Sequence, residues 1–359
     1  MKSISELLQK KVIVCAGTGG VGKTTLSASL AVAAAQQGKC VLVLTIDPAK
    51  RLATALGIEA LGREDRRVPE QNYPGELFAA VVDSKFVFDD FVVRALPDKT
   101  DCEKILKNRI YQKLSTSLSG SQEFTSLERF LMSYRSKKYD LIVLDTPPAG
   151  HAMDFLDGAA KLEALFQDSV LKWFVKPFQR TGLIVQIVNR STNIAFSALE
   201  RLTGAEFLKE LFEFFSTIYV IKDALLEEVR SIQQVLENKE TAFVIVSGFD
   251  STKLEESQDF YDYLQKRRYR FGALIVNRCL PSVPTLEGGS AVAPTEARES
   301  FLQSQKIYSG LQHFYKKHEQ ALSRLERHLG KDSLVIRVED SDQEIWDLQG
   351  LEKMAHRLR

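Results

Sequence analysis

The chain is 359 residues long, 44% hydrophobic and 26% charged, a globular balance with ample material for a core. A formal net charge of +1 excludes a global drive toward nucleic acid or an anionic membrane, and no run approaches the ~20 apolar residues of a membrane span. The four cysteines form no C-x-x-C pair, which excludes a thiolate zinc site of the usual spacing. The N-terminus lacks a signal-peptide core, so the expectation is a reduced, cytoplasmic protein.

Residues 3–10 suggest a short helix. Val12 to Ala16 is an apolar run of strand length. It leads into Gly17-Thr18-Gly19-Gly20-Val21-Gly22-Lys23-Thr24-Thr25, and small helix formers follow from Leu26 to Ala35. Strand, loop and helix in this order, with the pattern G-x-x-x-x-G-K-[ST], make a phosphate-binding loop. Glycines let successive N–H groups face a phosphate, and the new helix offers its positive end. The candidate nucleotide-binding residues are therefore Gly19, Gly20, Val21, Gly22, Lys23, Thr24 and Thr25. Lys23 suits the β/γ-phosphates, and the Thr24 hydroxyl suits Mg²⁺.

A second strand is expected from Val41 to Ile46, a polar loop over residues 63–75, and a third strand from Leu77 to Val82. Residues 83–96 carry Phe86, Phe88, Phe91, Val92 and Leu96 at helical spacing. Pro97 to Thr100 breaks that helix; helical segments are expected to about Leu114 and again from Glu123 to Tyr134. Leu141 to Asp145 is an apolar strand ending in a carboxylate. Strands alternating with helices predict an α/β, doubly wound, mainly parallel sheet with its ligands at the strands' carboxyl ends. Asp145 then falls where an acid holds Mg²⁺, directly or through water.

Beyond Ala152 the pattern changes. Residues 152–217 hold a dense apolar set with helical punctuation, including Phe155, Leu156, Phe166, Trp173, Phe174, Leu208 and Phe215. The expected organisation is a nucleotide-binding core in two parts, 1–151 and 218–359, around an apolar helical insertion at 152–217. A helix from Ile218 to Glu237, strands at Ala242–Val246 and Gly272–Asn277, a helix at Lys253–Arg267 and a Gly/Pro/Ser-rich stretch at 281–294 follow. A long helix from 296 to 329 carries Ile307, His318, Leu322, Leu325 and Leu329. A last strand and a closing helix complete the chain.

Thr45-Ile46-Asp47-Pro48-Ala49 and Asp145-Thr146-Pro147-Pro148-Ala149-Gly150-His151 resemble the two switch segments of the ArsA-type ATPases. That family includes the arsenite-pump ATPase and the factor that targets tail-anchored membrane proteins. The resemblance implies a P-loop NTPase fold, ATP with Mg²⁺, hydrolysis at the γ-phosphate, and a homodimer. It also implies that Asp47 positions the attacking water with Lys23 as the other catalytic residue, and that Asn277 reads adenine. Thr18 departs from the family signature, which carries there a lysine that reaches the partner's nucleotide; Lys50 and Arg51 are candidate replacements, or only a solvated basic turn. The insertion is either a groove for a hydrophobic client or membrane protein, or only core. Three readings stay open: a client-targeting ATPase, the energising subunit of an anion or metalloid pump, and a positioning ATPase on membrane or DNA. Nucleic acid is not an expected partner.

Overall fold

The computed structural model describes residues 3–46, 51–58, 64–69, 72–117, 121–148, 152–158, 204–281, 295–340, 345 and 347–358. Asp47, Lys50 and His151, the insertion from 159 to 203, and most of the 281–294 stretch lie outside the described residues. The chain divides into two compact units, one drawn from 1–81, 138–153 and 237–359 and the other from 82–137 and 154–236.

The first unit is built on a sheet of eight described strands. These are β1 (Val12–Gly17), β2 (Cys40–Thr45), β3 (Arg66–Arg67), β4 (Glu76–Val81), β5 (Leu141–Pro148), β6 (Thr241–Gly248), β7 (Phe271–Cys279) and β8 (Leu334–Glu339). Their order is β3-β4-β2-β5-β1-β6-β7-β8, and every pair is parallel except β3 with β4. β1 and β6 are buried at every position, as continuous apolar strands covered on both faces must be. β3 corrects the reading of 63–75 as loop alone. Two arginines there pair with Ala79 and Phe78 as a short antiparallel edge, a polar two-residue strand with no periodicity to announce it.

Helix α1 (Ile4–Leu8) is capped by Ser3. Helix α2 (Lys23–Ala35) leaves the phosphate loop and buries small residues almost throughout. The short α3 (Arg51–Ala55) follows β2. The last helix of the chain packs its Leu351, Met354 and Ala355 into the same apolar cluster as Leu26, Leu30 and Ala34 of α2.

The second unit is helical. α4 (Ser84–Ala95), α5 (Lys99–Lys107), α6 (Arg109–Ser117) and α7 (Ser121–Arg135) precede β5. An aromatic core joins them: Phe91 meets Phe124 edge-on at 5.4 Å, and Phe88 stacks on Tyr111 at 5.8 Å. Phe86 does not share this core; it is exposed, one step off the stripe that Phe88, Phe91 and Val92 occupy. Helix α8 (Ala205–Glu237) runs unbroken across residue 217, where the sequence reading ends the insertion. No glycine or proline occurs between its ends, so nothing stops it there.

Back in the first unit, α9 (Ser251–Lys266) follows β6, α10 (Thr295–Leu329) follows β7, and α11 (Leu348–Arg357) closes the chain. α10 buries Leu322, Leu325 and Leu329 near its end, whereas Ile307, counted on its apolar face from sequence, is exposed. No helix among the described residues is long and apolar enough to cross a membrane.

Candidate functional site

The sheet reverses direction of growth at β1, with β5 on one side and β6 on the other. A doubly wound sheet opens its ligand crevice at such a point. The phosphate loop leaves β1 there. Gly20 and Gly22 both take left-handed backbone, φ 75° and 86°. Gly22 is also the N-cap of α2 and contributes no side-chain cap, so the first N–H groups of α2 are left for an external acceptor. Lys23 opens the helix and is 8% exposed. A cation at the positive end of a helix is misplaced unless an anion joins it.

Strand register brings the carboxylate to the loop. Asp145 of β5 lies opposite Cys15 of β1 on one side and Thr45 of β2 on the other. Thr24 Oγ1 donates to Asp145 Oδ2 at 2.7 Å, Thr45 Oγ1 donates to the same oxygen at 3.1 Å, and Ser27 Oγ donates to Oδ1 at 3.3 Å. Asp145 is 1% exposed. Burial lifts its carboxyl above the ordinary value, while the Thr24 bond, the Lys23 charge and the Thr45 and Ser27 bonds pull it back toward ionisation. Oxygen donors gathered around one acid beside a loop for polyanions fit a hard divalent cation such as Mg²⁺. Thr146 Oγ1, one residue on, donates to the Cys15 carbonyl at 3.0 Å and ties β5 to β1.

Side chains from the β6–β7 side hold the loop's carbonyls. Asn277 of β7 donates from Nδ2 to Val21 O at 2.8 Å, and Lys253 of α9 donates from Nζ to Gly19 O at 3.0 Å. A Cβ built on Gly22 would stand 2.7 Å from Asn277 Nδ2, so this glycine is required by contact as well as by φ.

The structure thus brings Lys23, Thr24, Asp145 and Asn277 to one loop, while Asp47 lies outside the described residues. Thr45, Ser27 and Lys253 join the site without having been singled out from sequence. Thr45 and Ser27 sit beside recognised motifs and become visible only through register and helix phase. Lys253 has no local signal at all. Thr18 is buried at 1% exposure, and its Oγ1 has no hydrogen-bond partner among the described residues. The cysteines of the chain are all free. Burial pushes Cys15 up to about 12 and Cys279 up to about 11, so both stay protonated thiols at neutral pH. Cys40 is partly exposed at the start of β2.

The model of a family described as anion-transporting ATPase matches residues 10–358. A putative arsenical pump-driving ATPase 1 from Aquifex aeolicus is 26% identical over 278 residues, covering 76% of this chain and 64% of that one. The chain therefore spans less than two thirds of the Aquifex protein. An ATPase get3 from Aspergillus terreus is 27% identical over 283 residues, 77% of this chain and 76% of that protein. An ATPase GET3 from Podospora anserina is 25% identical over 309 residues, 86% and 85% respectively.

Proposed function

The chain belongs to the anion-transporting ATPase family, and from that premise we propose that it is a Mg²⁺-dependent ATPase that cleaves ATP to ADP and phosphate. The observation that carries the reading is the 2.7 Å bond from Thr24 to the buried Asp145 at the mouth of the glycine loop. In this reading the amides of Gly19 to Thr25 and the Lys23 ammonium bind the phosphates. Thr24 and Asp145 would hold Mg²⁺ or its water shell, and the ion would supply positive charge to offset that of the phosphates. Asp47, two residues beyond Thr45, orients water for in-line attack, and Asn277 reads adenine.

The insertion at 152–217 then serves as the moving part. Loss of the γ-phosphate releases the switch segments and repacks the helical subdomain, within a homodimer, for binding or targeting of a hydrophobic client. Likeness to the two fungal GET3 ATPases supports a GET3-like ATPase, while likeness to the Aquifex arsenical pump-driving ATPase favours a second reading, the energising ATPase of an anion or metalloid transporter. Among the described residues no group of three or more His, Cys, Asp or Glu side chains gathers to hold a metal ion, and Cys15, Cys102 and Cys279 are each buried.

Phosphate release and nucleotide binding, measured side by side, test the core of this. Lys23→Ala is expected to abolish turnover, and Asp47→Asn to keep ATP bound and uncleaved. Undiminished hydrolysis in Lys23→Ala would overturn the assignment. Turnover stimulated by a hydrophobic helical peptide rather than by arsenite would favour the client reading over the pump.

A further inference from the structure

Position 18 carries no cation, and its buried threonine does not project from the loop. A cation reaches the loop from the other half of the chain instead. Lys253 lies in the first turn of α9, 234 residues from Gly19, and its Nζ donates to the Gly19 carbonyl at 3.0 Å. The start of α9 is held in place by Asp250, whose Oδ1 accepts from the backbone N–H of Thr252 at 3.0 Å and of Lys253 at 3.3 Å. A lysine in a first helical turn opposes the macrodipole, so local helix energetics do not explain it. The stem of Lys253 runs past Gly248, where a Cβ would meet its Cδ at 3.1 Å and Val21 Cγ1 at 3.3 Å. The end of β6 is thus bare where the lysine crosses to the loop.

Resting on the nucleotide-binding reading above, we propose that Lys253 is a positioning cation of the phosphate loop. It fixes the Gly19 carbonyl, so that the following amides stay turned to the phosphates. Its charge, supplied within the same chain, favours ligands with longer phosphate tails. A single ammonium beside a polyanion acts in proportion to the charge it faces, whereas a mere prop of loop shape would serve every nucleotide alike.

The full chain, as wild type, Lys253→Met and Lys253→Arg, is titrated calorimetrically with a non-hydrolysable ATP analogue, ADP and AMP. Lys253→Met is expected to weaken the ATP analogue roughly tenfold, the scale of one charge-assisted hydrogen bond. ADP should lose less and AMP under about twofold, because each carries less charge to the loop. Lys253→Arg should recover most of the loss, and raised salt should narrow the gap between wild type and Lys253→Met. Lys253→Gln provides a second neutral variant if Lys253→Met folds poorly. Equal losses for all three nucleotides, or no loss, overturn the proposal while leaving the ATPase reading intact. A wild type that binds none of the three overturns both.

Discussion

Gly22→Ala should destabilise the protein in a way that Asn277→Ala partly forgives. The new Cβ faces two costs. At φ 86° an L-residue sits in left-handed backbone, worth about 1–2 kcal/mol. It would also stand 2.7 Å from Asn277 Nδ2, closer than a Cβ tolerates, and must push away the amide that bonds Val21 O at 2.8 Å. Losing that bond costs about 1 kcal/mol more. The single variant should therefore lose about 2–3 kcal/mol by these two terms. In an Asn277→Ala background the bond is already gone and the space is open, so only the backbone term remains. The coupling between the two sites should be about 1 kcal/mol, well above the ~0.3–0.5 kcal/mol within which independent sites add. Urea denaturation of the four proteins of the cycle, without nucleotide, measures it. Additivity within that margin would refute the claim that Asn277 braces the loop through this contact.

The remaining predictions concern stability away from nucleotide. Thr18→Val keeps the shape and removes a buried hydroxyl that has no partner among the described residues; it should raise nucleotide-free stability by about 1 kcal/mol in urea, and a loss would mean that the hydroxyl is used. In the helical unit, Arg94 bonds Glu128 at 2.7 Å, and the Glu128 side chain has no exposure while Arg94 is 42% exposed. Arg94→Met should cost about 2–4 kcal/mol because it strands a buried carboxylate, whereas Glu128→Gln should cost far less, since Arg94 keeps Asp90. Burial lifts the Glu128 carboxyl, against the pull of Arg94. The folded state thus holds that proton to higher pH than the unfolded chain, and stability falls as pH rises through the window above the ordinary glutamate value. Removing Arg94 lifts the carboxyl further, so the Arg94→Met deficit should grow from acid to neutral pH. A deficit that is constant across pH would rule out ionisation of Glu128 as its source.

How much of this is legible in the sequence depends on how local each signal is. The phosphate loop carries its own context, because strand, glycines and helix lie within about two dozen consecutive residues. The parallel sheet is legible because strands buried on both faces must be apolar throughout. Asp145 is legible as a strand-end acid and Thr24 as the motif's hydroxyl, but the Thr45 and Ser27 hydroxyls on that acid are not. They arrive by strand register from β2 and by helix phase from α2, and a Thr or Ser at those positions has no distinguishing pattern. Lys253 lies farther still from any local signal. In α4 the 3.6-residue period admits Phe86 to the apolar stripe, and only packing against Phe124 shows which side of α4 the core takes. Helix α8 runs on through residue 217 because the small polar residues Ser216 and Thr217 interrupt the apolar run without preventing a helix.

The geometry joins one buried acid to both the phosphate loop and the end of β2. Asp145 is buried, so its charge is tolerable only while donors surround it. Two of those donors differ in what else they do: Thr24 belongs to the phosphate loop, and Thr45 is the last residue of β2, from which the Asp47 segment departs. The same strands are joined a second time, since the Ile46 N–H donates to the Asp145 carbonyl at 3.2 Å. A cation held by a lone pair of the Thr24 oxygen would leave the Thr24 O–H donating to the carboxylate, so one hydroxyl could serve the ion and the acid together. The phosphate loop and the end of β2 thus meet on a single carboxylate oxygen. A carboxylate exposed to solvent could exchange any of these donors for water. Burial of Asp145 is thus what makes its hydrogen bonds interdependent, and in this protein that burial follows from the placement of β5 between β1 and β2.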